Sequence, residues 1–331
     1  MLLTSKEKYN IGIVGATGLV GRCLIKLLET SDIPINNLYL FASKRSINKK
    51  IKFKDKLFFI KELDASFYDK IDIFFFVSTT EISKQHIPKL LDYSNLIIDN
   101  SSTYRMNKYV PLIVPNVNIE KCFNKQLIAN PNCSTIQVVK IIEIINNLFK
   151  IKKINYNTYQ AVSGSGINGL IDLKSKINSF YPYMISKTCI PRIGDLDSNK
   201  YTSEEIKMIK ETNKILNSNI SITATCVRVP IEIGHAVSIY LETKKKINLE
   251  NLVDSMKKYP NLIIKDDLEK NIYPTSIDTF DNSNIYIGRI RKPSAKILLL
   301  YTTANNLLTG AASNALEIAE KYLENLNRKK A

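Results

Sequence analysis

The chain has 331 residues, 44% of them hydrophobic, with 47 Lys and Arg against 31 Asp and Glu, for a formal net charge of +16. That length predicts about two domains, each with a sizeable core. No apolar run reaches the roughly 18 residues that a membrane span needs, and the opening MLLTSKEKYN lacks the charged-then-apolar order of a secretory signal. The reading is therefore a soluble, cytoplasmic protein with no membrane partner. The basic excess is spread along the whole chain without an aromatic-interleaved basic run, which argues against nucleic acid while favouring anionic, phosphorylated small molecules.

In chain order, residues 9–14 form a short apolar run that predicts a buried strand, followed by a glycine turn and a helix over 19–28 with apolar residues at helical spacing. Strands are expected at 38–42, 71–77, 96–99 and 127–129, with a helix over 82–91. This alternation predicts an α/β fold: a Rossmann-type parallel sheet with helices on both faces. Beyond residue 133 the pattern changes. A helix over 136–148 precedes strands at 154–162, 220–229, 236–242, 285–290 and 297–303, with helices near 203–216 and 249–258. Long strands with few intervening helices predict a second, α+β domain built on an antiparallel or mixed sheet. A helix over 306–325 closes the chain.

The glycine turn reads Gly15-Ala16-Thr17-Gly18-Leu19-Val20-Gly21. Gly15 suits a tight turn, Gly18 lets the backbone approach a pyrophosphate, and Gly21 lets helix and strand pack closely. The helix start offers unpaired N–H groups to phosphate. A glycine motif between an apolar strand and an amphipathic helix is a dinucleotide site, so residues 15 to 20 are assigned to the cofactor. An NAD enzyme places Asp or Glu on the ribose about 20 residues later. Here the second strand runs into Phe41-Ala42-Ser43-Lys44-Arg45-Ser46, with no acid. The expectation is NADP, its 2′-phosphate near Ser43, Arg45 and Ser46.

The five cysteines, Cys23, Cys122, Cys133, Cys189 and Cys226, are odd in number, scattered and without a CxxC pair; with only His86 and His235 beside them, they argue against a disulfide framework and predict no metal site. Cys133 stands out. It lies in Asn130-Pro131-Asn132-Cys133-Ser134-Thr135, after a strand and where a helix opens. A helix N-terminus lowers a thiol's pKa, and the thiolate is the nucleophile. The helix-start amides and the Asn132 side chain are candidate donors to an oxyanion. His235, beside Gly234 at the entry to a strand, is a candidate acid/base partner. His86 lies on a predicted surface helix and is the weaker candidate.

Together these segments resemble the aspartate-semialdehyde dehydrogenase family. The carrying motifs are GATGLVG (15–21), DNSSTYRM (99–106), NPNCSTIQ (130–137), YQAVSGSG (159–166), YTSEEIKM (201–208), CVRVP (226–230), Gly234-His235 and NNLLTGAA (305–312). They follow the family's order over nearly the whole chain. The resemblance implies that Cys133 attacks L-aspartyl-4-phosphate and expels phosphate, that NADPH reduces the thioester to aspartate semialdehyde, and that His235 is the acid/base. It implies that Gln160 orients the substrate, Arg228 grips the α-carboxylate in a bidentate clamp, and Glu204 receives the α-ammonium, with Glu205 one register away. Asn132 also lies on the substrate, Arg105 and Lys207 bind phosphate, and Ser163, Gly164 and Asn306 line the cofactor pocket. The implied domains are 1–132, an NADP-binding domain completed by a C-terminal helix over 305–331, and 133–304, for catalysis and homodimerisation. The product would feed lysine/diaminopimelate, threonine and methionine synthesis. After His235 the family's common Ser-Glu is replaced by Ala236-Val237, and Arg192 stands where glutamine is usual. Alternatives are an N-acetyl-glutamyl-phosphate reductase or related acyl-phosphate reductase, and a non-catalytic binding protein.

Overall fold

The computed structural model describes residues 2–329; the last two residues of the expected C-terminal helix region lie outside them. The chain divides into two compact units, residues 1–131 with 311–331, and residues 132–310.

The first unit is built on a seven-stranded sheet. Its elements are β1 (Tyr9–Val14), α1 (Leu19–Leu28), β2 (Ile35–Phe41), β3 (Lys50–Phe53), β4 (Lys56–Lys61), β5 (Ile73–Phe76), α2 (Thr80–Leu90), β6 (Leu96–Asp99), α3 (Pro115–Asn118) and β7 (Leu127–Ala129). The strand order is β3-β4-β2-β1-β5-β6-β7, parallel except for the β3–β4 hairpin. Every residue of β5 and β6 is buried, as a parallel sheet covered on both faces requires. The Rossmann-type α/β expectation holds. The C-terminal helix, Ser313–Arg328, places Ala315, Ile318, Ala319 and Tyr322 in the same core as Leu24 and Leu28 of α1. It starts later than its periodicity predicts. Asn305 Oδ1 accepts from the N–H groups of Leu307 and Leu308, which makes a turn, and a π-turn over Leu308–Ala312 follows.

The β3–β4 hairpin has no counterpart in the expected elements. Its first strand, Lys50-Ile51-Lys52-Phe53, alternates basic and apolar residues, the turn has Lys54 at φ 52°, and its second strand holds the apolar run Leu57-Phe58-Phe59-Ile60 between two lysines. In the first strand, lysine at every other position masks the strand signal.

The second unit carries α4 (Cys133–Phe149), β8 (Ile151–Gln160), α5 (Ile167–Ser175), α6 (Ser203–Leu216), β9 (Ser221–Arg228), β10 (His235–Thr243), α7 (Leu249–Lys257), β11 (Leu262–Ile264), β12 (Ile285–Ser294) and β13 (Ile297–Ala304). Its sheet order is β11-β12-β13-β10-β8-β9. β8 runs parallel to β9 and β11 parallel to β12; the other pairs are antiparallel. The expected mixed sheet is thus present. One face is apolar and covered: Ile154, Tyr156, Ile222, Ala224, Val237 and Ile239 share a core with α4, whose Val138, Ile141, Ile142 and Ile145 are fully buried. The opposite face presents Asn155, Asn157, Tyr240 and Tyr301, partly exposed, and Tyr159, exposed. Gln160, Arg228 and His235 stand at β8, β9 and β10 ends of this sheet, and Cys133 opens α4 against it. The topology therefore collects, in one unit, residues far apart in sequence.

Candidate active site

α4 begins on Cys133 itself. Asn132 caps it: its Oδ1 accepts from the N–H of Ser134 at 3.0 Å and of Thr135 at 3.4 Å. Its own N–H donates to Glu211 Oε2 at 2.7 Å, and its side-chain amide donates to Glu204 Oε1 at 2.9 Å. Asn132 is thus fixed at its N–H and at both polar atoms of its side chain. Of residues 130–135 only Cys133 is not buried. The close packing beside it is made by Gly310, where a Cβ would lie 2.6 Å from the Cys133 Cβ.

The other cysteines offer less. Burial pushes the thiols of Cys122 and Cys226 up to about 12, and raises that of Cys23. Cys189 is exposed.

Glu204 is the hub of the site. Its Oε1 accepts from Asn132 and, at 3.2 Å, from the Gln160 amide; its Oε2 pairs with the Lys207 ammonium at 3.1 Å. Burial pushes its carboxyl up, but the Lys207 charge, the hydrogen bonds from Asn132 and Lys207, and the Arg228 charge outweigh that and hold it at about 2. Glu204 is therefore a buried carboxylate. Glu205, its neighbour, turns the other way: it closes a capping box with Thr202 and accepts from the N–H of Cys226. Glu204 and Glu205 face different partners because consecutive side chains on a helix point about 100° apart.

Arg228 is 4% exposed and donates through Nη1 to the Ala161 carbonyl at 2.7 Å. The Ala161 N–H donates to His235 Nδ1 at 3.0 Å. Ala161 thus ties the arginine and the imidazole together. Gly164 sits against both; a Cβ there would lie 2.7 Å from Arg228 Nη1 and 3.3 Å from His235 Nε2. His235 is fully buried, and burial, with the Arg228 charge beside it, lowers its pKa to about 3 against a smaller upward pull from Glu204. Asn306 holds this loop in place: it exchanges hydrogen bonds with Ser163 and accepts from the N–H of Gly234.

The amides of Ser134 and Thr135 are paired with the Asn132 side-chain oxygen, and the Asn132 side-chain amide with Glu204. One expectation is corrected. His86 is not on the surface: it is 7% exposed, with Nδ1 hydrogen-bonded to the Tyr68 hydroxyl at 2.6 Å.

In the first unit, Gly15 has φ +98°, and a Cβ there would meet the Val77 carbonyl oxygen at 2.5 Å. Its N–H and that of Ala16 donate to Phe41 O, which folds residues 15–18 against the end of β2. α1 starts after Gly18 with no side-chain cap and no acidic residue in its first turn, leaving Thr17, Leu19 and Val20 partly exposed around an N-terminus suited to phosphate. Ser43 and Arg45 are exposed in and beside the turn Lys44–Ser46, and Ser46 is partly exposed. Arg105 also belongs to this unit; it is buried, and its Nη2 donates to Asn100 O at 2.6 Å. Among the described residues no group of His, Cys, Asp or Glu is arranged to hold a metal ion, and no helix is long and apolar enough to cross a membrane.

Sequence reasoning missed Glu211, Gly310 and Ala161. Glu211 had a signal, since it lies two turns after Glu204 on one helix face. Ala161 acts through its backbone alone, which no side-chain pattern reports.

The family model described as semialdehyde dehydrogenase, NAD binding domain, matches residues 10–125, and that described as semialdehyde dehydrogenase, dimerisation domain, matches residues 143–309. Aspartate-semialdehyde dehydrogenase of Campylobacter jejuni is 38% identical, covering 97% of this chain and 99% of the relative. This chain belongs to the aspartate-semialdehyde dehydrogenase family. The family's enzyme from Aquifex aeolicus is 40% identical over 94% of this chain and 97% of its own. The fold agrees as well. The crystal structure of aspartate semialdehyde dehydrogenase II from Vibrio cholerae matches with a TM-score of 0.91 at 33% identity, covering 96% of this chain and 99% of that one. The same Vibrio enzyme complexed with ASA matches equally well, with a TM-score of 0.91 at 32% identity.

Proposed function

We propose that this protein is an NADP-dependent aspartate-semialdehyde dehydrogenase, converting L-aspartyl-4-phosphate to L-aspartate 4-semialdehyde and phosphate through a thioester on Cys133. The observation that carries the reading is the part-exposed Cys133 at the head of α4, in the unit that also holds the buried Glu204 and Arg228. A buried acid and a buried guanidinium are what a zwitterionic amino-acid head group requires. The ammonium joins Glu204 on the Oε2 side, where Lys207 is the more exposed and movable partner, its side chain 32% exposed against 8% for Glu204. The carboxylate docks on Arg228. Gln160 orients the substrate from β8, and Lys207 and Arg105 take the phosphate. That Glu204 is ionised disfavours an N-acetylated substrate, which has no ammonium to offer it.

The residues around α1 fit a dinucleotide: the backbone cradle at Gly15 has no room for a Cβ, and the uncapped helix start suits a pyrophosphate. Gly15, Ala16, Thr17, Gly18, Leu19 and Val20 would hold it, with Ser43, Arg45 and Ser46 on the 2′-phosphate and Ser163, Gly164 and Asn306 on the nicotinamide side. When bound, the cofactor supplies the hydride that reduces the thioester. The partner is a second copy of this chain. The dimerisation-domain match and the sheet face lined by Asn157, Tyr159, Tyr240 and Tyr301 support that assignment; a cavity of about 490 Å³, bordered by Tyr159, Tyr273, Arg289 and Tyr301, opens on the same side. The setting is the cytoplasm, where thiols stay reduced, and the product serves synthesis of lysine/diaminopimelate, threonine and methionine. The test is NADPH formation from aspartate semialdehyde, NADP and phosphate. Activity is expected there; turnover only with N-acetyl-glutamate semialdehyde would overturn the substrate assignment, and equal kcat/KM for NAD would overturn the cofactor assignment.

A further inference from the structure

The start of α4 needs one bond that its own sequence does not supply. In a capping box the third helical residue is Glu or Gln, and its side chain reaches back to the N–H of the cap. α6 has such a box, with Glu205 reaching back to Thr202. In α4 the third residue is Thr135, whose hydroxyl donates instead to Met208 Sδ at 3.7 Å. The N–H of the cap residue, Asn132, goes to Glu211 Oε2 at 2.7 Å, on a different helix. The acid that closes the box of α4 is thus lent by α6.

Glu204, Met208 and Glu211 stand at i, i+4 and i+7 on α6, hence on one face, and all three are buried. That face holds residues 132–135 at three points. Glu204 takes the Asn132 side-chain amide, Met208 the Thr135 hydroxyl, and Glu211 the Asn132 main-chain N–H. Of the three, only Glu211 grips the backbone, and it does so at the residue before Cys133.

We propose that Glu211 is a positioning residue: it fixes the main chain at Asn132 so that the Cys133 sulfur keeps its place at the acyl carbon while Glu204 binds and releases the substrate's ammonium. The role is exerted through Asn132, without contact to the substrate. It rests on the reading of Cys133 as the nucleophile and of Glu204 as the ammonium site.

Charge does not account for this acid. A buried carboxylate is costly unless it is hydrogen-bonded, and a negative charge close to a nucleophilic sulfur opposes formation of the thiolate. The bond to the Asn132 N–H is what the acid contributes at this place. Glu204 cannot take over the task. Its Oε2 side receives the ammonium in the proposed reaction, so its partners rearrange in every turnover, and Asn132 Nδ2 is one of them. A second anchor on the main chain keeps that rearrangement from reaching the sulfur, where a displacement of about 1 Å costs on the order of 100-fold in rate.

Substitutions at Glu211 separate the bond from the charge. Glu211→Ala removes both, Glu211→Asp keeps the charge on a side chain one methylene too short, and Glu211→Gln keeps an acceptor oxygen at the same reach without the charge. In the full-length protein assayed with aspartate semialdehyde, NADP and phosphate, Ala and Asp are expected to lose roughly 100-fold in kcat. Their KM for aspartate semialdehyde should stay within about threefold of wild type, because Glu204 and Arg228 are untouched. Gln should recover roughly tenfold or more of the loss, since it can still accept from the Asn132 N–H. Active enzyme is counted by NADP titration, and if Ala does not fold, Asp against Gln carries the comparison. Asp as active as Gln would assign the role to charge, a loss that falls on KM would place Glu211 on the substrate, and Ala with wild-type kcat would leave it no role in positioning; each of these would overturn the proposal. Failure of the Cys133 reading is a different result: Cys133→Ala would then retain turnover, whatever the order among the Glu211 variants.

Discussion

Replacing Gly310 by alanine places a methyl group against the backbone of the proposed nucleophile. The new Cβ would lie 2.6 Å from the Cys133 Cβ, 3.0 Å from its Cα and 3.2 Å from its carbonyl oxygen. Carbon atoms in contact settle at about 3.5–4.0 Å, so the chain must part by roughly 1 Å. The neighbour cannot yield by a rotamer change, because the atoms met first are Cβ and backbone at the first residue of a 17-residue helix. Overpacking of this kind costs about 1–3 kcal/mol of stability, and a displacement of about 1 Å at a reacting group costs on the order of 100-fold in rate. Gly310→Ala is expected to lose about two orders of magnitude in kcat/KM for aspartate semialdehyde, to react more slowly with iodoacetamide at Cys133, and to have a lower urea midpoint, while its Kd for NADP is unchanged. A variant with kcat/KM within threefold of wild type and an unshifted midpoint would refute the packing argument.

Cys133→Ser should abolish turnover and leave NADP binding, read by fluorescence titration, within a factor of about two. Arg228→Lys keeps the charge but loses the planar fork, so kcat/KM should drop more than tenfold; a change within threefold would remove Arg228 as the carboxylate clamp. His235 gives a pH signature. Its pKa in the folded protein, about 3, lies below the ordinary histidine value of 6.5, so between those values the unfolded chain binds a proton that the native state does not, and stability falls as pH falls through 6.5. At pH 5.5 the loss relative to pH 7.5 is about 1.4 kcal/mol from this group. Urea titrations should show a smaller drop for His235→Gln than for wild type over that interval; equal drops would mean that His235 is not held neutral. Glu204, held at about 2, adds a second loss that begins only as pH falls through about 4.5, and Glu204→Gln should remove it.

Much of this arrangement was legible before any coordinates. The strands at 9–14, 96–99 and 127–129 and the helices at 19–28 and 203–216 follow from apolar spacing, because each buries one face or both in a core that demands it. The glycine turn was legible because backbone geometry restricts which residue types stand there, and the place of Cys133 because an apolar strand precedes it and helical spacing follows. What escaped was held by contacts rather than pattern. Lys50 to Phe53 alternates correctly for a strand, but its lysines hid it, and Leu57 to Ile60 is a four-residue apolar run set between lysines. His86 sits on a helix that looks polar, yet the Tyr68 hydroxyl draws it inside. Only the structure shows the Asn132 N–H and side-chain amide paired with Ser134, Thr135, Glu204 and Glu211, contacts that no sequence pattern reports. Glu204 and Glu205 are equivalent in sequence and are separated only by the turn of α6.

The most direct test of the account is the covalent one. Trypsin should release Cys133 in the peptide Gln126 to Lys140, between Lys125 and the next lysine. After the protein is mixed with aspartate semialdehyde and NADP in the absence of phosphate and quenched in acid, mass spectrometry should find that peptide heavier by one aspartyl group, in an amount matching the NADPH burst and removable by hydroxylamine. A full NADPH burst with the peptide unmodified would contradict the thioester and the account built on it.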